Sequence, residues 1–297
     1  MIGKFRAAAL ALAVLTPPAA SAELPPSPFK DAYIEGAAYL RTVMPPGEGT
    51  RLEGAALYLL GNIAATLFHD FGHALKSELQ LPIVAAHESA ADSFAHVVMV
   101  ARVDDPALDL MVRTVAESYF IDGRLRETDP LADNALGAHA MSDHRAHAVI
   151  CMLVGSDPLL FKASADRAAM TPEVRAACKA EYADSLAAWG YLLQPHLLGD
   201  TDEGGGAFTI AYDPPQPGFE AIAKFLQASG IVEAAAGELQ GMIRLPHDLN
   251  LRIANCGKAE ASWQPRTRTI VFCYETALAY SQTAMDLTEA TLATSAP

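Results

Sequence analysis

Apolar residues recur three and four apart along most of the chain between 29 and 196, with few β-branched runs, and that spacing predicts helices. Pro45-Pro46-Gly47 separates a first helix from a long one ending near Leu79. Leu81-Pro82 then turns the chain, and a helix resumes at about His87 and continues to about Val103. Further helices are expected over 106–120, 145–153 and 172–193. The tract GDTDEGGG, with DPPQPG shortly after it, interrupts the pattern and reads as a linker or loop over 199–218. Two more helices, 219–228 and 231–243, precede the clearest β signal. LNLRIAN and RTIVFCYE alternate or cluster β-branched and aromatic residues around a segment containing Gly257 and Pro265, and read as a hairpin. The fold class is therefore α+β and mainly α-helical, with a helical region over 23–198 and a C-terminal helix and hairpin subdomain over 219–297 packed on it.

The first residues follow a different pattern. Lys4 and Arg6 precede an apolar run from Ala7 to Leu15, and Ala20-Ser21-Ala22 supplies small residues for cleavage, the order of a secretory signal over 1–22. The run is about half the roughly 20 residues a membrane span needs. No later segment is long and apolar enough to cross a bilayer, because charged residues interrupt the Ala-rich stretches. The mature chain, starting at Glu23, is expected in the periplasm or outside the cell.

Composition narrows the partners. The chain is 51% hydrophobic with a mean hydropathy of +0.16, a globular balance, and its formal charge is -14. Loss of Lys4 and Arg6 with the leader makes the mature chain more acidic still. Such a balance argues against nucleic acid, whose phosphates require clustered Lys and Arg. Four cysteines in an exported chain read as disulfides. Sequence alone permits three pairings; Cys151 with Cys178 and Cys256 with Cys273 are favoured, since each pair lies within one local unit. A zinc-thiolate site would want a C-x-x-C pair, which is lacking.

The candidate chemistry lies in LFHDFGHALKSELQLPIVAAHESAAD, residues 67–92. His69 and His73 are four apart on a strongly helical segment, so both imidazoles share a face and can reach one ion. A turn at Pro82 would lay the next helix across the first and bring Glu88 to the same ion. Two His and one Glu are a common ligand set for catalytic zinc, which keeps a fourth position open. Asp92, one turn after Glu88, suits acceptance of the free ring N–H of a ligand His. His87 and His96 are spare candidates for the third ligand, although His87 is expected to point away from the Glu88 face.

These residues resemble a known family. HDFGHAL followed by LPIVAAHESAADSFA is similar to the H-E-x-G-H-A-L, LP and E-x-x-A-A-D pattern of an uncharacterised bacterial family assigned to the zinc metallopeptidases, gluzincin-like in ligand order. RAHAVICMLVGSDP and CGKAEASWQP with IVFCYE resemble two further blocks of that family, so the likeness spans most of the mature chain. It implies a zincin-like pair of metal helices and a secreted or periplasmic Zn2+ hydrolase acting on a peptide or amide bond. Two positions depart from the pattern: Glu260 stands where the family has Asn, and Asp70 where it has the general-base Glu.

Asp70 has the chemistry of a general base but about 1.5 Å less reach, taking one C–C bond as the measure. A misplacement of about 1 Å can cost on the order of 100-fold in rate. His144 and Arg145 are the candidate partners for a developing oxyanion, Arg145 because it matches the family's Arg block. The strand RTIVFCYE could offer its edge to an extended peptide. The leading expectation is a metallopeptidase with Asp70 as base. The alternative is a weak or inactive zinc-binding envelope protein that acts as a binding module, and a metal-free disulfide-bonded scaffold is the third possibility.

Overall fold

The computed structural model describes residues 27–44, 49–83, 87–101, 105, 107–115, 118, 143–199 and 205–295, with the side chains of 49–51, 143–146 and 287–295 outside that description. The leader over 1–22, the Pro45-Pro46-Gly47 break and most of GDTDEGGG lie outside the described residues.

Helix α1 (Pro28–Val43) starts where Ser27 Oγ accepts from Lys30 N and Pro28 occupies the first turn, where a missing N–H costs nothing. Helix α2 (Gly49–Glu78) is buried around its circumference, from Leu52 through Leu60, Ile63, Phe68 and Phe71 to Leu75. An all-round apolar helix belongs in the middle of a protein, and α2 is indeed central. It touches α1, α3 (His87–Ala101), α8 (Ile231–Met242), α9 (Tyr274–Ser295) and two strands of the sheet. Its end is a left-handed stop: Gln80 has φ 50, and Leu81 N donates back to Lys76 O at 3.1 Å. The chain turns there, at Leu81-Pro82, as the sequence predicts.

A helical stretch at 107–115 and helices α4 (Asp143–Ser156), α5 (Lys162–Arg167) and α6 (Pro172–Leu193) follow. Helix α6 is capped by Thr171 Oγ1 on Val174 N, with Pro172 in its first turn. The Cys151–Cys178 disulfide ties α4 to α6, and Trp189 Nε1 donates to Ser93 Oγ at 3.1 Å, which ties α6 to α3. The second disulfide joins Cys256 to Cys273, so both favoured pairings are present.

The C-terminal part departs from the sequence reading in three ways. The 199–218 tract contains strand β1 (Phe208–Tyr212), followed by α7 (Glu220–Ser229) and α8. LNLRIAN and RTIVFCYE do form strands, β2 (Leu249–Ala254) and β4 (Thr269–Cys273), but they run parallel, with Leu251 beside Ile270 and Ile253 beside Phe272. The hairpin is β3 (Ala261–Gln264) against β4, Ala261 facing Phe272 and Gln264 facing Thr269. The sheet order is β1-β2-β4-β3, so β4 lies inside the sheet and β3 at its edge. The segment between β2 and β4 is too long for a tight hairpin turn and accommodates a further strand. The third departure is α9, which starts at Tyr274 directly from β4 and carries Tyr280, whose hydroxyl bonds Thr66 Oγ1 on α2 at 2.8 Å.

Candidate metal centre

Helices α2 and α3 cross closely because Gly72 has no side chain. A Cβ there would lie 3.0 Å from Ala91 Cα and 3.3 Å from both Ala91 O and Phe94 Cβ. Those distances leave no room for a methyl without moving a backbone. The crossing brings the face carrying His69 and His73 onto the first turns of α3, where Glu88 and Asp92 lie one turn apart.

Three donors converge there. His69 Nε2 is 3.0 Å from His73 Nε2 and 3.3 Å from Glu88 Oε2, and His73 Nε2 is 3.5 Å from Glu88 Oε1. Ligands about 2.0–2.1 Å from a tetrahedral zinc stand roughly 3.3–3.4 Å from one another. The two Glu88 distances run to different carboxylate oxygens, and one ligand atom from each of the three residues lies within 4.8 Å of the others, a cluster of two imidazoles and a carboxylate of the kind that zinc commonly takes. On the far side of the ring, His69 Nδ1–H donates to Asp92 Oδ1 at 2.7 Å. That bond fixes the tautomer and leaves Nε2 facing the other donors.

The electrostatics favour a cation. His69 is buried, and burial alone pushes its imidazole down. The hydrogen-bonded carboxylates of Asp92 and Glu88 outweigh burial, with a smaller contribution from the charge of Asp70, and hold it up at about 9. The same negative surroundings that hold the proton would favour a metal cation in its place.

His73 and Glu88 face a cleft of about 610 Å³. His73, Lys76, Gln80 and Glu88 line it from the helices, and Ser262 and Trp263 from the edge strand β3. The end of α2 is fixed to the sheet by Glu78, which accepts from His247 Nδ1 at 2.9 Å and from Arg268 Nε at 3.1 Å. That clamp ties the end of α2 to the segments leading into β2 and β4.

The other predicted residues are placed as follows. His87 lines the same cleft as Glu88 and does not point away from it, because it accepts a hydrogen bond from Lys76 Nζ at 3.4 Å across the helix pair. His96 is buried one turn beyond Asp92; with Asp92, Ser93 and Glu181 it lines a mainly apolar cavity of about 160 Å³ that none of His69, His73 and Glu88 lines. Asp70 is completely buried and does not line the cleft. His144 and Arg145 stand at the start of α4, but their side chains lie outside the described residues. Sequence reasoning did not single out Lys76, Ser262 or Trp263. Lys76 was detectable, since three residues after His73 it falls on the same helix face.

A family model described as "Putative metallopeptidase" matches residues 46–193 and 212–295, which include the donor triangle, β3 and both disulfides. No curated protein and no solved structure matches the chain.

Proposed function

Because the chain belongs to this metallopeptidase family, we propose that it is an exported zinc-dependent peptidase, its ion held by His69, His73 and Glu88. The observation that carries this reading is the donor cluster, in which His69, His73 and Glu88 each offer a ligand atom within 4.8 Å of the others while His73 and Glu88 line a cleft of about 610 Å³. Zinc bound there would supply an acidified water and polarise the scissile carbonyl. The chain's own residues do the remaining work. Asp92 keeps the His69 ring oriented through Nδ1–H, and Gly72 keeps the two helices close enough for Glu88 to reach the histidines. Strand β3, at the sheet edge and in the cleft wall, offers its outer backbone to an extended peptide. The interior strand β4 is thereby replaced as the candidate pairing edge. His144 and Arg145 are retained as the proposed oxyanion partners. Export is supported by the leader pattern at 1–22 and by the two disulfides. No helix among the described residues is long and apolar enough to cross a membrane.

A second reading is favoured by one observation, the complete burial of Asp70, which does not line the cleft. A base must come within about 2.6–3.2 Å of the proton it takes, directly or through one water. A buried Asp70 that serves only to raise the cation affinity of His69 would leave a metal-bearing binding module. The two readings part on Asp70→Asn, assayed with a quenched-fluorescent peptide library alongside zinc content. The peptidase reading predicts turnover down by about 100-fold or more with zinc retained, and activity kept or raised in Asp70→Glu. Absence of turnover in the zinc-loaded wild type would establish the binding module instead.

A further inference from the structure

We propose that the cleft beside the donor triangle recognises a carboxylate on the substrate and that Lys76 is its anchor. The proposal deepens the peptidase reading and rests on it. Lys76 follows His73 by three residues, which puts it on the same face of α2 and about 4.5 Å further along the axis. Its side chain forms part of the cleft wall, and Nζ contacts His87 Nδ1 at 3.4 Å. Among the described residues no carboxylate lies within ion-pair distance of that ammonium. Glu88, which lines the same cleft, is turned onto the two histidines.

This arrangement is unusual in a chain with 35 acidic and 21 basic residues. A peptide lying over Lys76 removes water from its charge, and that is costly unless the peptide brings a counter-charge. The neighbouring polar groups agree. Ser77, Gln80 and Ser262 add hydroxyl and amide donors to the same wall, while Trp263 and Pro265 give it an apolar side for the stem of a residue. An extended peptide advances about 3.3 Å per residue. The offset between His73 and Lys76 therefore places the carboxylate within one or two residues of the cleaved bond. It can come from an Asp or Glu side chain or from the peptide's own C-terminus.

Two measurements on the zinc-loaded mature chain test this. The first maps cleavage sites in a degenerate peptide mixture by mass spectrometry, with free and amidated C-termini. Wild type is expected to enrich Asp, Glu or a free terminus within two residues of the cut. Lys76→Gln should lose that enrichment, Lys76→Arg keep it, and Lys76→Glu turn it towards Lys and Arg. Loss on amidation assigns the terminal carboxylate, and loss on replacing Asp and Glu by their amides assigns the side chain. The second measurement is independent of turnover: calorimetric binding of glutaric acid monohydroxamate against its uncharged amide. Wild type should prefer the acid by about tenfold, and Lys76→Gln should bind both equally. Equal binding of the two hydroxamates by wild type, or a cleavage pattern indifferent to Lys76, overturns the proposal. Failure to bind either hydroxamate, in a chain that holds no zinc, overturns the metal reading and this proposal with it.

Discussion

His69 is held between Asp92 and Glu88, and burial, which alone would push its imidazole down, is outweighed so that the group stands at about 9. An unfolded imidazole titrates near about 6.5. In metal-free protein, protonation of His69 therefore stabilises the fold fully below about pH 6.5, and that contribution is lost as pH rises through about 9. Thermal unfolding of the metal-stripped chain should move to lower temperature across that window, and His69→Ala should flatten the dependence. Metal must displace the same proton, so apparent zinc affinity should climb about tenfold per pH unit below about 9, as titration with a competing chelator would read. Asp92→Asn weakens the tautomer lock and should lower zinc affinity by about 10–100-fold without unfolding the protein. At this scale the sequence was informative where spacing alone decides: His69 and His73 had to share a face, and Glu88 needed only a turn at Pro82 to reach them. The burial of Asp70 was not readable, because one helix position faces core or cleft according to what packs against it.

Helix α2 owes its place to two glycines. Gly72 admits α3, and Gly61 admits the 107–115 stretch, where a Cβ would lie 2.5 Å from Met111 O. Gly72→Ala must push α3 outward, because the atoms it would meet belong to the backbone of Ala91 and the Cβ of Phe94. The expected cost is about 1–3 kcal/mol in denaturant unfolding, together with weaker zinc binding as Glu88 moves from the histidines. An unchanged zinc affinity would show that the crossing does not set the donor triangle. Helices were legible here because periodicity and breakers agreed, as at Pro172–Leu193, which matches its expected span. Strand β1 was hidden because FTIAY is short and lies between glycines and prolines that dominate the local signal. Helix α9 was missed because β4 runs straight into it at Tyr274, with no breaker between the two.

Across the whole molecule, one buried cluster runs from Phe29 on α1 through Phe68 and Phe94 to Leu251, Ile270 and Tyr274. Helix α2 is thus braced by the sheet as well as by its helical neighbours. Parallel pairing of β2 with β4 could not be told from a hairpin by strand propensity, since pairing direction is set by where the intervening chain packs. The Cys256–Cys273 bridge joins the start of the β2–β3 connection to the end of β4. Replacing both cysteines by Ser should cost about 2–4 kcal/mol in denaturant unfolding while leaving zinc stoichiometry intact, because the proposed ligands lie on α2 and α3. The central claim remains that His69, His73 and Glu88 hold one ion. It is tested most directly by the metal content of the mature protein, purified without chelator, beside its His69→Ala variant. The account predicts about one zinc per chain in the wild type and almost none in a folded His69→Ala. Stoichiometric metal in neither protein, or the same amount in both, would contradict it.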